Sequence, residues 1–479
     1  MITLGLVDSV DDNGVYVTMP GSRGVLRGPY RALSTVAAGT TVLVASTDDG
    51  EQVVVGPAPN GGGVISVTAF GAKGDGVTDD TAAIQSALDA AEVSGLTLLI
   101  PDGTYSTTAA LTVGDNTSII GSGTISAVIP GAITRALIVA GDNVVIDGIT
   151  IDGNKAAYSG STEWKHGIFI SAGCSTVTVR NVITKSNKGD GIYVEGGATP
   201  ATRITLENVT STGNHRQGLT ISGGRDVLVI GGSYTATSGT APQAGIDIEP
   251  YFDDYVLDAV TILNVDLSDN AGPGLQIGME AASVCQRGVT VIGGRITGND
   301  TGVLLGRMRE VTLESVLIES NAGVGIESLG AVTESLRILN CTVRLSGERG
   351  IYLHPDTNPM DVVMMGCRVI DNAVDGATEG VMFDTNGTVF TAHNRIGNES
   401  SGNQTYGLRT TSAITAETHI ANMLDGNDTG EALYGGTAAS RLVLGQGAVT
   451  VTGSRGGNAA LASLLTQLAS LGLITDSTT

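Results

Sequence analysis

The stretch Asn187-Lys188-Gly189-Asp190-Gly191-Ile192-Tyr193-Val194-Glu195 carries the architecture of this chain, because its centre recurs again and again. A Gly followed by an aliphatic residue stands at Gly167-Ile168, Gly191-Ile192, Gly218-Leu219, Gly245-Ile246, Gly274-Leu275 and Gly302-Val303, then at Gly325-Ile326, Gly350-Ile351, Gly380-Val381 and Gly407-Leu408. The intervals are 24, 27, 27, 29, 28, 23, 25, 30 and 27 residues. Three places after each Gly comes Ile170, Val194, Ile221, Ile248, Ile277, Leu305, Ser328, Leu353, Phe383 or Thr410. The first and third places are mostly apolar and the second and fourth are mixed, which is the period-2 mark of a strand.

A repeat of this length buries little alone; stacking the repeats turns each aliphatic place into a continuous interior column. The pattern predicts a right-handed parallel β-helix. Each coil carries a second strand as well, read from RITLENVTST, VTILNVDLSD, LRILNCTVRL and VVMMGCRVID. Asn187, Asn214, Asn270 and Asn321 each precede a repeat Gly by four places, where stacked amides can bond along the axis. Cys341 and Cys367 fall one coil apart, roughly 4.8 Å between Cα atoms, near enough for a bridge, though buried free thiols are the expected state.

Composition agrees. Among 479 residues there are 69 Gly, with only 15% charged and 4% aromatic, and so much glycine suits short turns between strands rather than helices. The net charge of −23 excludes a nucleic-acid binder and favours solubility; an anionic glycan would need a local basic cluster or a divalent cation. The opening MITLGLVDSVDD reads as no signal peptide, and no run reaches the roughly 20 apolar residues of a membrane span. Four cysteines without CxxC spacing specify neither a disulfide scaffold nor structural zinc.

Upstream, VTAFGAKGDGVTDDTAAIQSALDAAEVSGLTLLIPDGTY reads as strand, Gly-rich turn, helix and strand. The helix is expected over 79–92, with Asp79 or Asp80 as N-cap and Ile84, Ala87, Leu88 and Ala91 on the face that seals the end of the β-helix. A phosphate loop is rejected: no Gly-Lys-Ser/Thr follows, and Asp75, Asp79 and Asp80 would repel phosphate. Residues 1–60 hold five alternating runs that suit a small β-barrel, and 57–63 read as a linker. At the far end Leu461, Leu464, Leu465, Leu468 and Leu471 stripe a helix over 458–472, too short to stand alone and suited to packing on its own copies. The expected division is therefore 1–60, 61–425 and 426–479.

GAKGDGVTDDTAAIQSALDAA followed by IPDGTY closely resembles the N-terminal cap of the pectate-lyase-like β-helix superfamily, which includes many phage tailspikes. The first 60 residues resemble the OB barrel modules of phage tail hubs. The ending GGNAALASLLTQLASLGLITDSTT is similar to the tails of minor tail proteins from phages of actinobacteria. These resemblances imply a homotrimeric tail fibre or tailspike in the virion tail. Its barrel would meet other tail or baseplate proteins, and its β-helix would bind, and as a polysaccharide depolymerase cut, a bacterial surface glycan. The Asn-Thr-Asp, Asp-Asp and Gly-His-Gly signatures of the superfamily's polygalacturonases are not intact, so their mechanism does not carry over.

The second and fourth places after each Gly face outward on one sheet. There Asp247 and Glu249 stand on one strand, and Tyr193 and Glu195 hold the same places two coils earlier, beside Asp190. The coil between them brings His215, Arg216 and Gln217. We take Asp247, Glu249, Glu195, His215 and Arg216 as candidate catalytic residues, and Asp190, Tyr193, Gln217, Tyr251 and Trp164 as candidate substrate contacts. Two strand neighbours sit roughly 6.8 Å apart and two coils about 10 Å, which suits an inverting glycosidase pair better than a retaining one. A lyase would instead use Arg216, His215 or Lys188 as base, with Arg or a divalent cation such as calcium at the uronate; hydrolysis calls for no cofactor. Eight of the seventeen aromatic residues fall between Tyr158 and Tyr255, as a sugar groove would want. The competing reading is that outward acids only solubilise a sheet, and it is the preferred one for Glu327. His354, His393 and His419 are read as structural. A site that binds but does not cut remains the rival function.

Overall fold

In the computed structural model the described residues are 63–427 apart from 160–162, 253, 279–286, 330–333, 355–359, 377, 400–403 and 412–413, together with the strand backbones within 2–57 and 430–478 and Ser463, Leu465 and Thr466. The chain divides into two compact units, Met1–Ser233 and Tyr234–Thr479.

Both units are coils of right-handed parallel β-helix. In the first, the sheet that follows the repeat Gly holds Leu111–Val113, Ile133–Val139, Trp164–Ile170, Ile192–Val194 and Leu219–Ile221, paired in chain order. In the second, Ile246–Ile248, Leu275–Ile277, Val303–Leu305, Ile326–Ser328, Ile351–Leu353, Val381–Phe383 and Tyr406–Thr410 pair the same way. Register puts Ile168 beside Ile192 and Ile192 beside Leu219, and the next column runs Ile170, Val194, Ile221. All six are buried, each contributing about 1.5–3 kcal/mol of apolar burial.

The repeat glycines are there for closeness rather than for unusual backbone. A Cβ on Gly191 would lie 2.0 Å from Ser211 Oγ and 2.6 Å from the Gly218 carbonyl oxygen. On Gly302 it would meet the Gly325 oxygen at 2.3 Å. Beside this contact run the amide ladders. Asn187 Nδ2 donates to Asn214 Oδ1 at 2.8 Å, and Asn270, Asn299 and Asn321 continue the device in the second unit at 2.9 and 3.0 Å. The Oδ1 atoms of Asn214, Asn299 and Asn321 also accept a backbone N–H, as Asn214 does from Asn187 at 3.1 Å. Asn299 escapes the four-before-Gly rule by standing three before Gly302.

The capping helix α1 spans Thr81–Ser94, beginning two residues later than expected over 79–92. Asp79 is the last residue of the strand Asp75–Asp79, and Asp80 holds the N-cap position without capping. Its carboxylate accepts instead from the amides of Lys73 (2.7 Å) and Gly74 (3.0 Å), so it fastens the Gly-rich turn. Ile84, Ala87, Leu88, Ala90 and Ala91 are buried, and α1 packs on Val64–Ser66, Thr97–Ile100 and Leu111–Val113.

Strands Ile2–Asp11, Gly14–Thr18, Leu26–Ala32, Thr41–Ser46 and Gln52–Pro57 close a five-stranded barrel. Of the helix expected over 458–472, only Ser463, Leu465 and Thr466 are described, and they are helical; the rest lies outside the described residues. Cys341 and Cys367 are buried free thiols, while Cys285 lies outside the described residues.

Candidate functional site

The first unit builds its outward face from three successive coils. The long strand Trp164–Ile170 places Trp164, His166 and Phe169; the next coil places Asp190 in its turn and Tyr193 on its strand; the third places Arg216, Gln217 and Thr220. Register stacks Phe169 on Tyr193 and Tyr193 on Thr220. The Phe169 and Tyr193 rings lie parallel at 5.4 Å, and His166 packs on Tyr193 at 4.8 Å. Arg135 covers Phe169 at 4.1 Å, and Arg216 lies 5.1 Å over Trp164, whose ring is exposed. Aromatic and guanidinium planes in this order suit the faces and hydroxyls of a sugar.

Asp190 is the hub of the arrangement. It is fully buried. Its Oδ2 accepts the Thr220 hydroxyl at 3.0 Å and lies 3.7 Å from Arg216 Nη1, while Oδ1 accepts the Gln217 amide at 3.2 Å. His166 Nδ1 lies 3.2 Å from the Asp190 backbone N and 3.4 Å from Asp190 Oδ2. A buried carboxylate so engaged holds the Arg216 guanidinium in place. Asp190, expected as a substrate contact, is thus fully buried and bonded to protein groups.

His215 turns to a different neighbour. Its Nε2 lies 3.3 Å from Lys188 Nζ. Burial, then Lys188 and Lys155, hold its pKa below the ordinary value against the pull of Glu163, so the imidazole is neutral near pH 7. Lys155 is itself lowered by burial and by Lys188, and donates to the Gly213 carbonyl at 2.5 Å. Glu195 Oε2 accepts the Ala172 amide at 3.1 Å. Lys165 is buried, with Nζ donating to the Ile129 carbonyl at 3.0 Å.

In the second unit, Ile246 and Ile248 point inward and Asp247 holds the outward register, paired with Gln276. Asp247 is nevertheless buried, and so are Phe169 and Thr220 in the first unit, which corrects the expectation of a solvated sheet at these places. Phe169 is covered by Arg135; Thr220 turns its hydroxyl to Asp190. Glu249 is half-buried. Tyr251 and Phe252 are exposed and meet edge-on at 4.7 Å, and Phe252 meets Tyr255 in the same way at 5.2 Å. Asp253 lies outside the described residues. Among the described residues, no three His, Cys, Asp or Glu side chains are grouped as a metal ion would need.

Sequence reasoning overlooked Arg135 and Thr220. Thr220 was within reach, because its column with Tyr193 follows from the repeat; Arg135 lies before the repeat becomes regular.

Residues 64–327 match the family model described as rhamnogalacturonase A/epimerase, pectate lyase-like, and residues 253–411 match a right-handed β-helix region. The preneck appendage protein of Bacillus phage PZA is 28% identical over 186 residues, 33% of this chain and 21% of that protein. Mannuronan C5-epimerase AlgE5 of Azotobacter vinelandii is 28% identical over 274 residues, 52% of this chain and 26% of that protein. The chain thus spans about a fifth to a quarter of the length of these curated relatives. The N-terminal fragment of bacteriophage phi29 gene product 12 shares the fold, with a TM-score of 0.56 at 15% identity over 82% of this chain and 76% of that one.

Proposed function

Since the chain belongs to the rhamnogalacturonase A/epimerase, pectate lyase-like family, we propose that it is a phage tail component whose first unit binds an acidic envelope polysaccharide and cuts it by β-elimination. The likeness to a phage appendage protein and to an enzyme acting on mannuronan supports both halves of this reading. One observation carries the site: Arg216, fixed by buried Asp190 and laid over exposed Trp164, next in sequence to a neutral His215. In a chain of net charge −23, cations concentrated here mark where an anion is welcome.

In the proposed reaction Arg216 steadies the uronate carboxylate and His215 takes the proton on the adjacent carbon. The C–O bond to the next sugar breaks, a carbon–carbon double bond forms, and the departing oxygen takes a proton from solvent. The inverting hydrolase expected from sequence, with Asp247, Glu249 and Glu195 as its carboxylates, is less favoured, because Asp247 is buried and Glu195 is engaged by the Ala172 amide. Arg216 supplies the neutralisation, so the reaction calls for no divalent cation and persists in chelator. The barrel would attach to other tail proteins, and the 458–472 helix would join three copies; sedimentation as a monomer would count against the latter.

The test is incubation with polymannuronate and polygalacturonate, following oligosaccharide release and the absorbance of unsaturated uronate. Release with that absorbance, abolished by His215→Gln while binding persists, supports the lyase. Release without it returns the chemistry to a hydrolase through Asp247 and Glu249. Binding without release makes the protein a receptor-binding fibre, and no binding ends the reading.

A further inference from the structure

Six side chains of the second unit form one connected set on the outward face of its sheet, although the sequence reading left Glu327 as surface and His354 as structural. Register stacks Glu327 on Tyr352, Tyr352 on Met382 and Met382 on Arg409. Glu327 Oε1 lies 2.8 Å from His354 Nε2, and the His354 ring packs on Tyr352 with centroids 3.9 Å apart. The Arg349 guanidinium sits 4.5 Å from the centre of the Tyr352 ring and donates Nε–H to buried Glu379 at 2.8 Å. Arg409 donates from Nη1 to the other oxygen of Glu379 at 2.5 Å.

Two guanidinium groups on one carboxylate are more than folding requires. Burial pushes the Glu379 carboxyl up, yet the bonds from Arg409 and Arg349 outweigh it and hold its pKa below the ordinary value. Glu379 is shared by two arginines, and both guanidinium groups are part-exposed. Each arginine uses one donor of its five on Glu379, and among the described residues the others have no protein acceptor. Glu327 is hydrogen-bonded to the His354 ring and Asp384 accepts the Thr411 hydroxyl, and both carboxylates lie within electrostatic reach of Tyr352. The unspent donors are planar forks, the geometry that reads a carboxylate.

We infer that Arg349, Arg409, Tyr352, Glu327 and His354 form a second saccharide-binding site, which takes a sugar bearing a carboxylate. The carboxylate meets the two guanidinium groups, and ring hydroxyls meet the Glu327–His354 pair. This site does not rest on the reading of the first unit.

Calorimetric titration of the full chain with mannuronate and galacturonate hexamers tests it, with neutral maltohexaose as control. An acidic hexamer should occupy two classes of site in the wild type. Arg409→Met, which leaves Glu379 its Arg349 partner, should weaken one class at least about tenfold in a protein that still folds. If Arg409→Met unfolds, Tyr352→Leu keeps both ion pairs and should show the same loss. Trp164→Ala should remove only the other class. A single class lost with Trp164→Ala and indifferent to Arg409→Met and Tyr352→Leu overturns the second site and leaves the first standing. A single class lost with Arg409→Met alone does the reverse. Absence of binding to either acidic hexamer, or equal binding of the neutral one at this site, also overturns it.

Discussion

The Thr220 hydroxyl donates to Asp190 Oδ2 at 3.0 Å across a sequence gap of 30 residues. One coil of the β-helix separates them along the chain, and the stack makes them neighbours. The same carboxylate oxygen faces Arg216, so a buried anion and a nearly buried cation depend on each other. Asp190→Asn should therefore destabilise the protein by about 3 kcal/mol, the usual cost of leaving a buried charge without its partner. Thr220→Val should cost about 1 kcal/mol. Urea unfolding of Asp190→Asn, Arg216→Met and the double variant measures the coupling. Strict additivity would show that the two side chains do not hold one another.

His215 supplies a pH dependence of definite sign. Its folded pKa lies below the ordinary 6.5, through burial first and then Lys188 and Lys155. Between the folded value and 6.5 the unfolded chain binds more protons, so stability is intact above that range and declines as pH falls through it. His215→Gln should flatten this part of the profile, read from urea midpoints across the acid range. An unchanged slope would assign the titration to another group.

Gly191→Ala is expected to cost about 2–3 kcal/mol, because the new methyl group overlaps the neighbouring coil. Its Cβ would stand 2.0 Å from Ser211 Oγ and 2.6 Å from the Gly218 oxygen. Gly213→Ala is the control: its φ is +64° but nothing lies within 4 Å, so strain alone should cost about 1 kcal/mol. Equal losses in the two variants would refute the close-contact account of the repeat.

Tyr234 is fully buried, and its hydroxyl has no partner among the described residues. Tyr234→Phe removes an unsatisfied polar atom at constant shape and should be neutral or stabilising by up to about 1 kcal/mol. A clear fall in melting temperature would reveal an acceptor for that hydroxyl.

The interior was legible because its period is stated openly by the Gly-aliphatic pairs, and every column read from them is found buried. The asparagine ladder was legible wherever spacing stayed regular and was missed at Asn299, where one turn is a residue shorter. The face was only half legible. Which residues lie on the outward register follows from counting, but what covers them depends on side chains from other coils. So the burial of Asp247 and the commitment of Asp190 could not be read. Glu327 and His354 looked isolated because 27 residues separate them, close to one repeat; counting in coils would have joined them.

Glycines packed on the carbonyl oxygen of the next repeat, with amides handing a bond to the next asparagine, tie each coil chiefly to the two beside it. Such a column can gain or shed whole storeys while the remaining ones keep their shape, whereas a shift of one residue inside a storey turns interior side chains outward. Lineages of this chain should therefore vary in steps of one full coil and in the length of the turns, while the wall segments between them keep their count.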